Sequence, residues 1–561
     1  MKYYLILITY FLLGHSLYAQ WGNTPAENLK LSEEQGVKLN KMALAGPDGS
    51  WYICYTNLVV NTQSLHLTRL DETGQVLWAK TIKEGEAPGS LSAVMVSDSL
   101  GGVILAWTDR RTENTAFTYA NRIDAEGNKL WGEADVRVGV SEIEEFLTKM
   151  VSDGKNGAII TLYDDNPPSG DFRGIYAYRV RANGQVAWRT YLFPSGTNSH
   201  DYGIDQDAEG GLVAVTEYGH PIELENQIRA MRLDSTGAKI WPDEKFVIGP
   251  ISQPIGMKVR SSTRSHNHPR ILVNPGLGFY VLYFENPGIL FPEEEINHRA
   301  HFLEADGSQG WAPEGLALNR PASTSPDIQM KLDHEGNLYF NYHTDSAFHL
   351  QKVTPTGTLP WSMEGVPYTS AFQGAPDNIL ITSCNDIIIG VDGGPEEIIE
   401  AIRVSPTGQL VYSPDASIDL STSIVGGHDR DPITAINAAD EVVAVWSRDE
   451  DVNDTHMDVY VQGFGKDGVL GNEINATRDI ITDALDVFPN PFSQQLQIVP
   501  PETKATSRIY VYNQSGQQVF QGRLNQLNTS IETKTWAPGL YLVLLHTEKA
   551  VYRQKVVKTT P

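Results

Sequence analysis

Cysteine is nearly absent from this chain: two in 561 residues, Cys54 and Cys384. That excludes a disulfide-stapled scaffold. Both fall in or beside expected strands and read as two buried free thiols. Positive charge is also scarce, with 43 Lys and Arg against 69 Asp and Glu, for a formal net charge of −26. Phosphate backbones need a basic face, so nucleic acid is excluded as a partner. No apolar run is long enough to span a membrane comfortably. The run Tyr3 to Leu13 follows Lys2 and precedes Leu17-Tyr18-Ala19 and Gln20. It has the form of a secretory signal peptide over residues 1–19. No Cys stands near the cut, which disfavours a lipid anchor. The compact catalytic motifs are missing as well: no Gly-x-Ser-x-Gly elbow, no His-Glu-x-x-His and no phosphate loop.

What is present is a repeat. Leu70-Asp71-Glu72-Thr73-Gly74…Trp78 returns as Ile123-Asp124…Gly127…Trp131, Val180…Gly184…Trp188 and Leu233-Asp234…Gly237…Trp241. It continues as Leu303…Gly307…Trp311, Val353…Gly357…Trp361, Val404…Gly408…Tyr412 and a decayed Phe464…Gly468. The spacing between successive Gly residues runs from 50 (307 to 357) to 70 (237 to 307). Each repeat shows a strand ending at an Asp/Gly-rich turn such as Asp153-Gly154…Gly157 or Asp207…Gly210-Gly211. A near-continuous apolar run follows, such as Val103 to Trp107 or Val442 to Trp446, the mark of a buried strand. An alternating third strand, the signature turn and a fourth strand carrying the Trp complete the unit. Four strands per repeat make one propeller blade. The expected fold is therefore an all-β propeller over 20–476, eight-bladed by preference and seven-bladed as the alternative. Trp21-Gly22…Leu29-Lys30-Leu31-Ser32 reads as a closing strand given to the last blade.

The match at Asp71, Thr73, Gly74 and Trp78 resembles the docking motif of pyrroloquinoline-quinone-type propellers, which are eight-bladed. The resemblance implies fold alone. The adjacent Cys pair of the quinone dehydrogenases has no counterpart here.

After Ala476 the repeat stops. Residues 477–485 read as a linker, and Val487-Phe488-Pro489-Asn490-Pro491-Phe492 opens a small Ig-like β-sandwich over 486–561. Its expected strands are 495–498, 508–512, 518–520, 539–544 and 552–557. The opening motif, Tyr512…Gly516-Gln517…Val519, Gly539-Leu540-Tyr541 and Lys555-Val-Val-Lys558 resemble the C-terminal sorting domain of the type IX secretion system of Bacteroidetes. The resemblance implies that this domain engages the secretion machinery and that the protein crosses the outer membrane from the periplasm. It also implies removal of the domain, followed by surface attachment or release.

Propellers bind ligands where loops converge on the channel mouth, so the loops entering each first strand hold the candidate chemistry. His200, His268, Asp327 and Asp431 lie there. Imidazole and carboxylate brought into one ring suit acid–base work or a metal, although no local spacing demands it. From Phe246 to Phe284 there is no Asp or Glu, while Lys258, Arg260, Arg264 and Arg270 stand in that stretch. Such a basic loop can pair carboxylated or sulfated glycans, or be solvated and balanced by neighbouring acids. Asp449, Asp451 and Asn453 give alternating oxygen ligands for a loose calcium site, without the Gly and Glu of an EF-hand loop. The leading expectation is a binding protein for a glycan or surface protein, with no cofactor unless calcium. The alternative is a polysaccharide hydrolase or lyase using the His/Asp ring. A purely structural surface component is the third reading.

Overall fold

The computed structural model describes residues 21–471 and 479–559, apart from 85–91, 195–201, 220–225, 242–246, 249–264, 287–296, 320–327, 370–377, 423–427, 450–455, 500–507, 524–528 and shorter stretches. Among the described residues there are eight four-stranded antiparallel sheets. Their first strands are Val37–Ala45, Ala93–Ser97, Glu145–Ser152, Tyr202–Gln206, Ser265–Asn274, Met330–Leu332, Ile379–Ile381 and His428–Ile436. Each first strand lies beside that of the next sheet, and the eighth lies beside the first. This is an all-β arrangement consistent with a propeller.

The apolar runs explain the stacking. Successive side chains on a strand point to opposite faces. In the second strand of the eighth sheet, Val442, Ala444 and Trp446 pack with Ile388 and Ile399 of the seventh sheet. Val443 and Val445 point the other way, to Trp51 and Ile53 of the first. A strand buried on both faces must be apolar at every position, hence the unbroken runs. Eight such cores each join two consecutive sheets.

The closing strand is where the sequence places it. Leu29–Lys30 pairs antiparallel with Val461 and Tyr460 as the fourth strand of the eighth sheet. The decayed eighth repeat has no Trp after Gly468, and Trp21 takes that role. Its indole N–H donates to Glu72 O at 2.9 Å. A Cβ on Gly74 would stand 2.6 Å from its ring.

Three expectations change. The Trp lies within the fourth strand in the first and third sheets, at Val76–Lys83 and Val186–Pro194. In the second, fourth and fifth sheets it precedes a strand of two residues. In the first and third sheets Ala79 and Arg189 continue the strand after the Trp, whereas in the second Gly132, at φ of +93°, ends the extended backbone. Cys54 is buried as expected, but Cys384 is exposed, in the turn after the first strand of the seventh sheet. The stretch expected as a linker, 477–485, contributes the strand Asp479–Thr482, parallel to Ala550–Arg553. That strand edges a five-stranded sheet packed on a three-stranded one. The two share a core with Leu485, Phe492, Ile498, Val511 and Val543.

Candidate functional site

The two ends of the strands in the eight sheets are built differently. At one end lie the hairpin turns after the first strands and the signature turns after the third. Asp71 Oδ1 accepts the backbone N–H groups of Thr73 and Gln75, both at 2.9 Å, which closes the turn from inside. Asp124 and Asp234 repeat the geometry. The turn then receives the preceding sheet. Trp188 Nε1 donates to Ser235 O at 3.1 Å, and Arg179 donates to the same carbonyl at 2.6 Å. Trp78 with Arg69 on Ala125 O, and Trp241 with Arg232 on Ala305 O, do the same. Each Arg also pairs with the Asp of its own sheet's hairpin turn: Arg122 with Asp98, Arg179 with Asp153, Arg232 with Asp207 and Arg403 with Asp386. The periodic Asp, Gly, Trp and Arg residues are thus committed to joining one sheet to the next. Sequence reading missed the Arg, although it stands immediately before the Leu, Ile or Val that opens the signature.

The opposite end carries the chemistry. There the first strands begin, the second strands finish, and connections between sheets emerge. Several second strands carry a carboxylate at or close to this end: Asp109, Asp164, Glu217, Asp392 and Asp449. In these strands the acid was visible in the sequence shortly after the apolar run, and was not read. Several are answered by Arg. Arg111 binds Asp109 and Asp135, and Arg430 reaches Asp449 at 2.9 Å. Four first strands carry a register shift near their start. In three of them a non-Gly residue takes positive φ: Asn40 at 48°, His268 at 55° and Asp431 at 53°. Bulges with such backbone re-aim side chains and gather at functional sites.

Among the sequence candidates, His268 and Asp431 therefore occupy equivalent bulges, on the fifth and eighth sheets. These sheets are not neighbours in the ring. Asp431 is exposed. His200, Asp327, Lys258, Arg260, Arg264, Asp451 and Asn453 lie outside the described residues. Arg270 is half-buried on the first strand of the fifth sheet and donates to Pro269 O at 3.1 Å. Asp449 is fully buried, and Arg430 already answers its charge. Among the described residues, no group of three or more His, Cys, Asp or Glu is arranged to hold a metal ion.

Three residues that sequence reading passed over have shifted acidities at this end. The Asp392 carboxyl is pushed up to about 7, first by burial and next by the facing charge of Asp431. Glu145 is fully buried and raised to about 7 by that burial, although the backbone N–H groups of Thr118 and Ser141 point at it. A Cβ on Gly139 would meet its carboxylate at 1.8 Å, so a larger residue there would displace the Glu145 side chain. His298 is buried against Phe284, Phe340 and Tyr342 with no hydrogen bond to either ring nitrogen. Burial, and secondarily the charge of His268, holds it down near 3.

Comparison with known proteins decides the C-terminal part. Residues 486–559 match the secretion system C-terminal sorting domain. The protein is exported. It carries the address of the type IX route and goes to the cell surface or the medium. No helix among the described residues is long and apolar enough to cross a membrane. No curated protein matches the chain. Solved structures with distant likeness include prolyl oligopeptidase B from Galerina marginata, at 13% identity and TM-score 0.39, covering 74% of this chain and 56% of that one. The polysaccharide lyase Uly1 is 9% identical with TM-score 0.37, covering 82% and 94%. The exotype rhamnogalacturonan lyase YesX is 11% identical with TM-score 0.39, covering 77% and 75%. The chain spans about half the length of the Galerina enzyme. Likeness at this level assigns no activity.

Proposed function

We propose that residues 20–476 form an eight-bladed propeller of the pyrroloquinoline-quinone architectural type without its quinone site. On this reading it is a surface or secreted binding protein whose ligand, a glycan or another surface protein, docks at the end where the first strands begin. One observation carries this reading: the turn end is filled by repeated contacts between sheets, whereas the other end holds the bulged first strands and the carboxylates late in several second strands. Arg270 stands on the first strand of the fifth sheet, and Lys258, Arg260 and Arg264 precede that strand in the sequence, a basic stretch that suits acidic groups on the ligand. The test is a glycan array probed with the full chain, with and without EDTA, beside elemental analysis. Binding to acidic glycans that survives EDTA and is lost in Arg260→Ala/Arg264→Ala supports the reading. A stoichiometric transition metal without glycan binding overturns it.

A second reading, a polysaccharide hydrolase or lyase, is favoured by Asp392 and Asp431. A buried carboxyl held near 7 and facing a second, exposed carboxylate is the pairing that suits proton donation by the buried one. On this reading Asp392 is the acid. Its mark would be a pH–rate profile whose upper limb moves down in Asp431→Asn, because removing the facing charge eases ionisation of Asp392.

A further inference from the structure

A separate site stands on the third sheet, on the connection between its second and third strands. Phe172 is 71% exposed, well above any other described aromatic side chain among the exposed large apolar residues. Its ring meets Tyr191 at 5.8 Å between centroids, tilted by 46°. Tyr176 stands edge-on behind Tyr191 at 5.2 Å. The ledge is held from three sides. The Tyr176 hydroxyl donates to Phe172 O at 2.6 Å, fixing the backbone beneath the exposed ring. Arg189 stacks on Tyr176 at 3.8 Å and donates from Nε to Tyr178 Oη at 2.9 Å. Its other arm reaches Asp171 Oδ2 at 2.5 Å.

We propose that Phe172, Tyr191 and Asp171 form a binding site for one sugar ring of a neutral glycan. The C–H face of a pyranose covers an aromatic ring of this size. Its hydroxyls can meet the outer edge of the Asp171 carboxylate, whose side chain is 40% exposed. Asp171 and Arg189 already balance each other, so the ledge suits an uncharged sugar. A protein partner is disfavoured by scale, since a stable interface buries about 800 Å² on each side and the ledge is two rings wide. Because its backbone and its Arg are pinned before any ligand arrives, little ordering cost remains to be met on binding. This site does not rest on the basic stretch or on the Asp392 pair.

The test uses the full chain with cellohexaose, mannohexaose and xylohexaose, and an oligogalacturonate as acidic control, by titration calorimetry. At least one neutral oligosaccharide binds, Phe172→Ala weakens it by about tenfold or more, and Phe172→Tyr retains it. The thermal midpoint of Phe172→Ala stays at the wild-type value, because the ring is exposed. Absence of neutral binding, or neutral binding unchanged in Phe172→Ala, overturns the site. Acidic-oligomer binding that is lost in Arg260→Ala/Arg264→Ala but unmoved by Phe172→Ala leaves the mouth reading standing without this one.

Discussion

At the scale of single residues, the contacts between sheets are specific enough to rank. Arg179 is nearly buried, pairs with Asp153 and reaches the next sheet through Ser235 O. Its removal leaves the buried Asp153 carboxylate without its counter-charge, held only by the backbone N–H groups of Lys155 and Gly157. Arg179→Ala is expected to cost about 3–5 kcal/mol, read from urea unfolding. Gly237 holds φ of +84°, and an added Cβ would lie 2.6 Å from the Trp188 ring. Gly237→Ala therefore meets both strain and a clash, and destabilises by more than about 1 kcal/mol. His298 gives a pH dependence with a definite sign. Its folded pKa, near 3, lies below the ordinary imidazole value of about 6.5. As pH falls, the unfolded chain takes up the proton first. Stability is intact above about 6.5 and is lost as pH falls toward 3. His298→Leu should lose less than the wild type between about pH 7 and pH 4, in chemical unfolding at both values.

At the scale of elements, the closing strand is the feature to challenge. It is pinned by more than two ladder residues. Ser32 Oγ donates to Asp458 at 2.9 Å, Lys30 pairs with the same carboxylate at 2.5 Å, and His456 stands 3.1 Å away. Asp458→Ala frees the strand at one end and Trp21→Ala at the other. Each is expected to expose the edge strand Met457–Gly465 to proteolysis and hydrogen exchange first, ahead of global unfolding. This element was legible because Trp21-Gly22 resembles Trp131-Gly132. The four-strand unit was legible because apolar runs bounded by Asp/Gly turns have one reading once they recur. The linker was misread because Asp479–Thr482 is a short edge strand whose partner, Ala550–Arg553, is remote in sequence. The length of the fourth strand was misread because the Trp marks the contact with the next sheet and not the start of the strand. The candidate site was legible only in part. His268 and Asp431 were found through position, while Asp392, Glu145 and His298 owe their chemistry to burial and to neighbours on other sheets. Phe172 depends on exposure, which no single-sequence pattern encodes.

At the scale of the whole molecule, one chain joins an address to a cargo. The sorting domain at 486–559 sends the protein outward. Deleting 486–561 is expected to leave it in the periplasm of a type IX-competent host, by cell fractionation. The ring of sheets then offers two ends, one committed to its own assembly and one not. The decisive measurement is the hydrogen-exchange footprint of the full chain with whichever glycan or protein the binding screen returns. Protection at the starts of the first strands, around 37–42, 265–271 and 428–433, with the signature turns unchanged, is the predicted result. Protection centred on those turns, around 71–75, 124–128 and 234–238, would contradict it.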